Sequence, residues 1–119
     1  YETFEEKIME KQKMAQSVEY VGSNGAAKER VTKTPAAIAF VGLGFAGGSD
    51  IKALPVNGVA PTKATVASGK YPIARPLFMF TNGYPRLGSH LHAFITLYLT
   101  KKGQEIIEET GFVPVTNYQ

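Results

Sequence analysis

The chain has 119 residues, of which 44% are hydrophobic and 19% charged, a composition typical of one globular domain and not of a disordered or fibrous segment. Cysteine is absent, which excludes a disulfide framework, a thiolate zinc site, an iron–sulfur cluster and a cysteine nucleophile. The formal charge is +3, and the surplus of basic residues between Lys52 and Lys102 is scattered, which suits an anionic small molecule as well as a polymer. Nucleic acid is not expected as a partner, because the sequence has no clustered basic stripe with stacking aromatic residues.

The first third of the chain has the pattern of two helices. Apolar periodicity predicts a helix from Thr3 to about Ala15, and the spacing of Thr3 and Glu6 fits a capping box. A second, shorter helix is predicted to begin with Ser23 or Asn24 as its cap and to end before Thr34-Pro35, because the residue before a proline disfavours helix.

The middle of the chain has the pattern of strands and turns. The continuous apolar run Ala37–Val41 predicts a buried strand, and the glycine-rich stretch Gly42–Gly48 predicts a loop after it. A weak strand is predicted over Ile51–Val56, followed by a tight turn at Asn57-Gly58. Pro61–Gly69 is predicted to form a short helical or irregular piece.

The last third of the chain is predicted to run from extended structure into two helices. Pro72–Thr81 is expected to be extended, with its prolines away from the centre of any sheet. After Ser89, a natural helix cap, the clearest helical stripe in the sequence is formed by Leu91, Phe94, Ile95, Tyr98 and Leu99. A further helix is predicted over Gln104–Thr110 with Gly111 as its terminator, and Phe112–Val115 is expected to be extended.

The only motif that points to an enzyme is Gly42-Leu43-Gly44-Phe45-Ala46-Gly47, which satisfies the G-x-G-x-x-G spacing of dinucleotide-binding turns. That function needs a helix opening at the third glycine and an acid about 20 residues later, and neither is predicted here. We therefore favour a flexible loop and keep a nucleotide-dependent enzyme as the alternative.

No catalytic or metal site is expected elsewhere in the sequence. His90 and His92 are two residues apart on a predicted helix and so face different directions, which does not suit a shared metal. Arg75, enclosed by Pro72 and Pro76, is the one charge expected to be held rigidly, either paired with a buried acid or close to an anion.

Several phrases, taken in order, resemble the C-terminal part of the phosphate-binding proteins that serve phosphate ABC importers. They are Tyr1-Glu2-Thr3-Phe4-Glu5, Gly22-Ser23-Asn24-Gly25, Thr34-Pro35-Ala36-Ala37-Ile38-Ala39-Phe40-Val41-Gly42, Tyr71-Pro72-Ile73-Ala74-Arg75-Pro76-Leu77, Lys102-Gly103-Gln104 and Gly111-Phe112-Val113-Pro114-Val115. The resemblance covers nearly the whole chain.

This resemblance implies an α/β protein, the C-terminal portion of a two-lobed periplasmic-binding-protein-like fold of class II that closes on one phosphate ion by a hinge motion. It implies a receptor and not an enzyme, without a cofactor, which delivers phosphate to an ABC permease in the membrane. The implied location is extracytoplasmic, either in the periplasm or lipid-anchored at the cell surface.

The resemblance also implies that this chain is a fragment, because intact receptors of the family are more than twice as long. Their phosphate-contacting Ser-Gly-Thr precedes the helix that begins near Tyr1, so Tyr1, Glu2 and Thr3 are the expected phosphate-proximal residues, at the amino end of that helix.

By the same resemblance, residues 1–70 are expected to belong to the second lobe, residues 71–77, with Arg75, to the hinge crossover, and residues 78–119 to the return segment of the first lobe. The fragment is expected to associate with the missing N-terminal portion or with another copy of itself. An interaction module that kept the fold and lost the ligand is a further alternative.

Overall fold

The structure is a computed structural model that describes residues 1–115 of the chain. Its helical elements are α1 (Glu2–Lys7), α2 (Asn24–Lys33), a 3-10 helix (Leu43–Phe45), α3 (Lys63–Ala67), α4 (His90–Leu97) and α5 (Lys101–Glu109). The chain divides into two compact units, the first comprising Tyr1–Arg75 and the second beginning at Pro76. Across the described range no helix combines the length and apolar character that crossing a lipid bilayer requires.

Helix α1 is shorter than predicted and begins one residue earlier. Tyr1 occupies the N-cap position without a side-chain capping bond, so the predicted capping box of Thr3 and Glu6 is wrong. The chain leaves the helix after Lys7, and Glu10 and Lys11 adopt left-handed conformations with φ of 51° and 65°. These two conformations cannot continue a right-handed helix, which is why the predicted extension to Ala15 does not form.

Helix α2 confirms its prediction at both ends. The Ser23 hydroxyl accepts a hydrogen bond from the Ala26 backbone N–H at 3.1 Å, and the helix ends at Lys33, with Thr34 in an extended conformation before Pro35. Ala27, on this helix, is the buried hydrophobic residue of the described chain, with 8% of its surface exposed.

Replacing this cap tests how much of the first unit depends on α2. We expect Ser23→Ala to lower the free energy of unfolding by about 1 kcal/mol, because one orphan N–H of the first turn loses its acceptor. Urea unfolding followed by far-UV circular dichroism measures the change, with Ser17→Ala, at an exposed turn position, as the matched control. Equal unfolding curves for the two variants would contradict the role given to the cap.

The strands predicted for the first unit are not observed. Residues 37–41 have no regular secondary structure and form no ladder with any residue of the range 1–115, where the bridge between Val56 and Val59 is the only β pairing. The tight turn inside that bridge confirms the prediction for Asn57-Gly58, whose φ angles of 50° and 77° both lie in the left-handed region. A strand needs a neighbour that supplies the other half of its hydrogen bonds, and local pattern cannot say where that neighbour comes from.

Helix α3 is a single capped turn within the predicted piece Pro61–Gly69. Thr62 and Thr65 form a reciprocal capping box, in which the Thr65 N–H donates to the Thr62 hydroxyl at 3.1 Å and the Thr62 N–H to the Thr65 hydroxyl at 3.0 Å. Gly69, with φ of 70°, ends the helix by donating its N–H to the Val66 carbonyl. The prediction of a short helical segment that ends at Gly69 is confirmed.

In the second unit, residues 76–81 have no regular secondary structure, and α4 begins at His90. Ser89 caps that helix as predicted, accepting from the His92 N–H at 3.2 Å. The helix ends at Leu97, before the end of the predicted stripe, because Thr100 caps the next helix directly afterwards. The apolar stripe of α4 remains largely exposed, with Phe94 at 65%.

Helix α5 begins at Lys101, three residues before the predicted start at Gln104. The Thr100 hydroxyl accepts from the Gly103 N–H at 3.1 Å and donates to the Leu97 carbonyl at 2.7 Å, which joins the end of α4 to the start of α5. Gly111, with φ of 88°, terminates the helix as predicted, and the bonds from its N–H to Glu108 and from the Phe112 N–H to Ile107 complete a Schellman motif.

Gln104 connects the backbone at Val115 to the turn that precedes α5. Its side chain is 2% exposed, its amide donates to the Tyr98 carbonyl, and its carbonyl accepts from the Val115 N–H at 2.9 Å. Gly103 beside it is also buried. Many large apolar side chains are exposed in both units, among them Ile38, Leu54, Phe80, Leu87 and Phe94, so the described chain encloses little apolar surface of its own.

Candidate functional site

The structure places the predicted phosphate-proximal residues together at the amino end of α1. Tyr1 is the N-cap, Glu2 and Thr3 are the first two helical residues, and the first backbone bond of the helix runs from the Glu5 N–H to the Tyr1 carbonyl at 3.0 Å. The N–H groups of the first turn therefore have no intrahelical acceptor and point outward along the helix axis. Such groups can donate hydrogen bonds to an anion.

The side-chain charge at this end of α1 is negative. Glu2 and Glu5 lie in the first turn of α1, and the basic residue of this helix, Lys7, lies in its last turn. These carboxylates complement the helix dipole and repel an incoming phosphate. The amino end of α1 alone is therefore a poor phosphate site, and phosphate binding there requires donors and positive charge from outside this helix.

Tyr1 is held by contacts with Tyr20 and Glu5. The rings of Tyr1 and Tyr20 have centroids 5.9 Å apart, and the Tyr1 hydroxyl lies 3.5 Å from Glu5 Oε1. The hydrogen bond with Tyr20, followed by desolvation and the nearby charge of Glu5, raises the pKa of the Tyr1 hydroxyl above its usual range. The Tyr1 hydroxyl, like any tyrosine hydroxyl, is protonated at neutral pH and can donate a hydrogen bond.

Arg75 is the last residue of the first unit, and its side chain is exposed. No ion pair joins it to an acidic residue within positions 1–115. Of the two partners expected for Arg75, a buried acid is not found within this range, and the approach to an anion stays a prediction. The two prolines that enclose Arg75 restrict its neighbours' backbone and do not by themselves order a long side chain.

The glycine-rich loop has no dinucleotide-binding geometry. A 3-10 helix at Leu43–Phe45 interrupts the motif, and Gly47 leads into bends instead of opening an α-helix. The Gly47 carbonyl accepts from Lys28 Nζ at 2.6 Å, and the Gly42 N–H donates to Asn24 Oδ1 at 3.2 Å. The prediction of a loop is confirmed, and helix α2 holds that loop at both ends.

A small polar cluster that the sequence analysis did not identify lies between α2 and the loop. Asp50 Oδ2 accepts from the Thr32 hydroxyl at 3.2 Å, and Asp50 Oδ1 lies 4.0 Å from Lys28 Nζ. Gly48 has φ of 120°, and a Cβ there would lie 2.5 Å from Asp50 Oδ1, so this position needs glycine. The i, i+4 spacing of Lys28 and Thr32 was visible in the sequence, but their common partner 18 or more residues away was not.

The first unit also contains an open cavity of about 260 Å³ beside this loop. Its lining is mostly apolar and consists of Leu43, Ala46, Gly47, Ala53, Pro61, Thr62 and Lys63. The Thr62 hydroxyl already takes part in the capping box of α3. None of the residues predicted to approach phosphate lines the cavity.

His90 and His92 lie in the first turn of α4 as predicted, where Ser89 caps the His92 N–H. Over residues 1–115, no group of three or more histidine, aspartate or glutamate side chains is placed to hold a metal ion.

Comparison with known proteins gives a consistent set of relatives. The chain is 39% identical over 98 residues to the phosphate-binding protein PstS of Borreliella burgdorferi, an alignment that covers 80% of this chain and 35% of the relative. It is 34% identical over 90 residues to the phosphate-binding protein PstS 2 of Streptococcus agalactiae, covering 73% of this chain and 29% of that protein. The PstS of Bacillus subtilis is 28% identical over 97 residues, covering 80% and 31% of the two chains.

No profile of a known protein family matches the chain, and no solved structure matches it. The chain spans about a third of the length of the curated relatives it matches. Those relatives are all named as binding proteins and not as enzymes. With 39% identity sustained over 80% of its residues, the chain belongs to the family of PstS phosphate-binding proteins.

Proposed function

We propose that this chain is the C-terminal portion of a phosphate-binding receptor, the extracytoplasmic component of an ABC importer that passes phosphate to a membrane permease. The observation that carries the proposal is the 39% identity over 80% of the chain to a protein named for phosphate binding. The complete protein has the two-lobed α/β fold of periplasmic binding proteins, and it binds its ligand without chemical change.

In this proposal the remaining two-thirds of the polypeptide supplies what the chain lacks. The strand partners missing beside residues 37–41, and the exposed apolar side chains of both units, are features that a larger fold would cover. Tyr1, Glu2 and Thr3 contribute the amino end of α1 to one wall of the site. The Glu2 carboxylate points away from the bound ion, and donors from the remainder of the polypeptide complete the coordination.

The lobes and the hinge are assigned as follows in this proposal. Residues 1–70 belong to the second lobe and residues 78–119 to the first, with the crossover at residues 71–77. The division of the chain between Arg75 and Pro76 supports this assignment, since it falls inside the proposed crossover. Arg75 would then belong to the hinge crossover, where an exposed guanidinium attracts an anion.

A chimera tests the function directly. The aligned 98 residues of the Borreliella burgdorferi PstS are replaced by those of this chain, and inorganic phosphate binding is measured by calorimetry. We expect the chimera to bind phosphate and to prefer it to sulfate. The unaltered relative serves as the positive control, and far-UV circular dichroism establishes that the chimera is folded.

A folded chimera that binds no phosphate would overturn the proposal, and so would one that prefers another anion. Within a chimera extended to include residue 3, Thr3→Ala is expected to weaken phosphate binding about tenfold or more, because the proposal has the Thr3 hydroxyl donate to the ion and a hydrogen bond to a charged group contributes about 1.5–3 kcal/mol. Thr110→Ala, at the carboxyl end of α5, is the control and should leave affinity unchanged.

A further inference from the structure

The chain contains three Asn-Gly pairs, at Asn24-Gly25, Asn57-Gly58 and Asn82-Gly83. An asparagine followed by glycine is chemically labile, because glycine has no Cβ to obstruct its backbone nitrogen or to restrict its backbone. That nitrogen must reach the side-chain carbonyl carbon of the asparagine before the side-chain amide can be lost. A backbone held in a helix or a closed turn prevents this approach, so the structure decides which pair reacts.

Loss of the asparagine amide proceeds in two steps that need only water. The glycine backbone nitrogen loses its proton and forms a bond to the asparagine side-chain carbon, and ammonia leaves with that proton, which produces a succinimide ring. Water then opens the ring at one of its two carbonyl carbons and gives aspartate or isoaspartate. Either product carries a carboxylate where the chain had a neutral amide.

The pair Asn24-Gly25 is held by helix α2. It lies in the first turn of that helix, where the Ala27 N–H donates to the Ser23 carbonyl at 3.0 Å. The Asn24 Oδ1 atom also accepts a hydrogen bond from the Gly42 N–H at 3.2 Å. Attack on the Asn24 side chain therefore requires the first turn of α2 to open and this bond to break.

The pair Asn57-Gly58 is held by a tight turn. The Val56 N–H donates to the Val59 carbonyl at 3.0 Å and the Val59 N–H donates to the Val56 carbonyl at 2.9 Å, so both bonds that close the turn are made. The Gly58 nitrogen can approach the Asn57 side chain only if the Asn57 backbone rotates out of its turn conformation. That rotation opens the turn and breaks the closing bonds.

The pair Asn82-Gly83 has no comparable restraint. No backbone–backbone hydrogen bond joins residues 72–85 to one another or to another described residue, and the exposed Asn82 side chain makes no hydrogen bond within positions 1–115. One bond at this pair runs from the Thr81 hydroxyl to the Gly83 carbonyl at 2.8 Å, and it does not engage the Gly83 nitrogen. A Cβ at Gly83 would meet nothing within 4 Å, so the space beside this residue is open.

We propose that Asn82-Gly83 is a site of spontaneous deamidation, at which the Gly83 nitrogen displaces ammonia from the Asn82 side chain and water then leaves aspartate or isoaspartate. Helix α2 protects Asn24, and the closed turn protects Asn57. The product places a carboxylate in the stretch 76–85, which contains no charged residue. The proposal concerns this chain of 119 residues and is independent of phosphate binding.

Digestion with trypsin separates the three pairs, so that one experiment compares them. Cleavage after lysine and arginine gives the peptides 14–28, 53–63 and 71–86, each with one Asn-Gly pair, because a bond between arginine and proline resists this protease. The 119-residue chain is first incubated at mildly alkaline pH, and mass spectrometry of the peptides follows the conversion of each asparagine. We expect Asn82 to convert about fivefold faster, or more, than Asn24 or Asn57, because those two react only after local opening.

Incubation in urea is the control for the effect of structure. In the unfolded chain the three pairs should convert at similar rates, because each is an asparagine followed by glycine. Equal rates in the folded chain would overturn the proposal, and so would faster conversion at Asn24 or Asn57. A preference for Asn82 that persists unchanged in urea would overturn the structural reason given for it.

Ion-exchange chromatography of two variants gives an independent measurement, because deamidation adds a negative charge. Asn82→Gln should remove the first acidic species to form, since a glutamine side chain closes the corresponding larger ring much more slowly. Asn57→Gln is the matched control and should leave that species unchanged. An early acidic species that persists in Asn82→Gln would contradict the assignment of the site.

Discussion

Gly103→Ala is expected to lower the free energy of unfolding of the second unit by about 2–3 kcal/mol or more. A Cβ at this position would lie 2.0 Å from the Leu97 carbonyl oxygen and 2.7 Å from the Tyr98 Cα. Both are backbone atoms of the turn that Thr100 fixes, so the clash can be relieved only by opening the corner between α4 and α5. A loss of stability would distinguish this clash from the ordinary effect of the substitution, because a glycine to alanine change inside a helix usually stabilises it by about 1 kcal/mol.

Urea unfolding followed by far-UV circular dichroism measures this change, and amide hydrogen exchange assigns it to α4 and α5. Gly22→Ala is the control, because nothing lies within 4 Å of the added Cβ and the position needs no left-handed backbone. A variant at Gly103 that is as stable as the unaltered protein would show that the corner can open without cost.

Gln104→Leu is the second substitution with a large expected effect, about 1–3 kcal/mol lost from the free energy of unfolding. The change retains much of the side-chain volume but deprives the Tyr98 carbonyl of a donor and the Val115 N–H of its acceptor. Because Gln104 is 2% exposed, water cannot readily replace the amide on the inner side.

The readout that separates this bond from general destabilisation is the exchange rate of the Val115 amide hydrogen. We expect it to rise in Gln104→Leu before the amides of α5 lose protection. Gln16→Leu, at an exposed position of the first unit, should alter neither stability nor exchange of that amide. Continued protection of the Val115 N–H in Gln104→Leu would show that another acceptor holds it.

Local chemistry explains which elements the sequence predicted. The caps at Ser23 and Ser89, the turn at Asn57-Gly58 and the terminator Gly111 each depend on residues within a few positions of one another. A hydroxyl residue before a helical run predicts the start of a helix and a glycine after the run predicts its end, because the hydrogen-bond partner in each case is a nearby backbone group.

The predictions that failed depended on distant or competing partners. The strand at residues 37–41 needs a neighbour that the described chain does not contain. The start of α5 was predicted at Gln104, whereas Thr100 caps the helix earlier, and the close approach of Leu97 explains the glycine at position 103. The predicted length of α1 was wrong because the left-handed conformations of Glu10 and Lys11 do not interrupt the apolar periodicity on which the prediction was based.

Only part of the candidate site could be predicted from the sequence. Tyr1, Glu2 and Thr3 are neighbours in the chain, so any helix beginning there brings them together. The contact of Tyr1 with Tyr20, and the partners that Asp50 finds on α2, join residues about 18 positions apart or more and follow from how the chain turns back. The family of the chain is shown by its identity with PstS proteins over most of its length and could not be shown by any single residue.

The hydroxyl of Thr100 gives the second unit a mechanical property. By donating to the last turn of α4 while it accepts from the first turn of α5, it locks the angle at which the two helices meet. The Gln104 side chain also binds the backbone at Val115, whose N–H donates to its amide oxygen. The ends of α4 and α5 that meet here therefore form one rigid corner, and bending within the second unit is confined to the chain outside it.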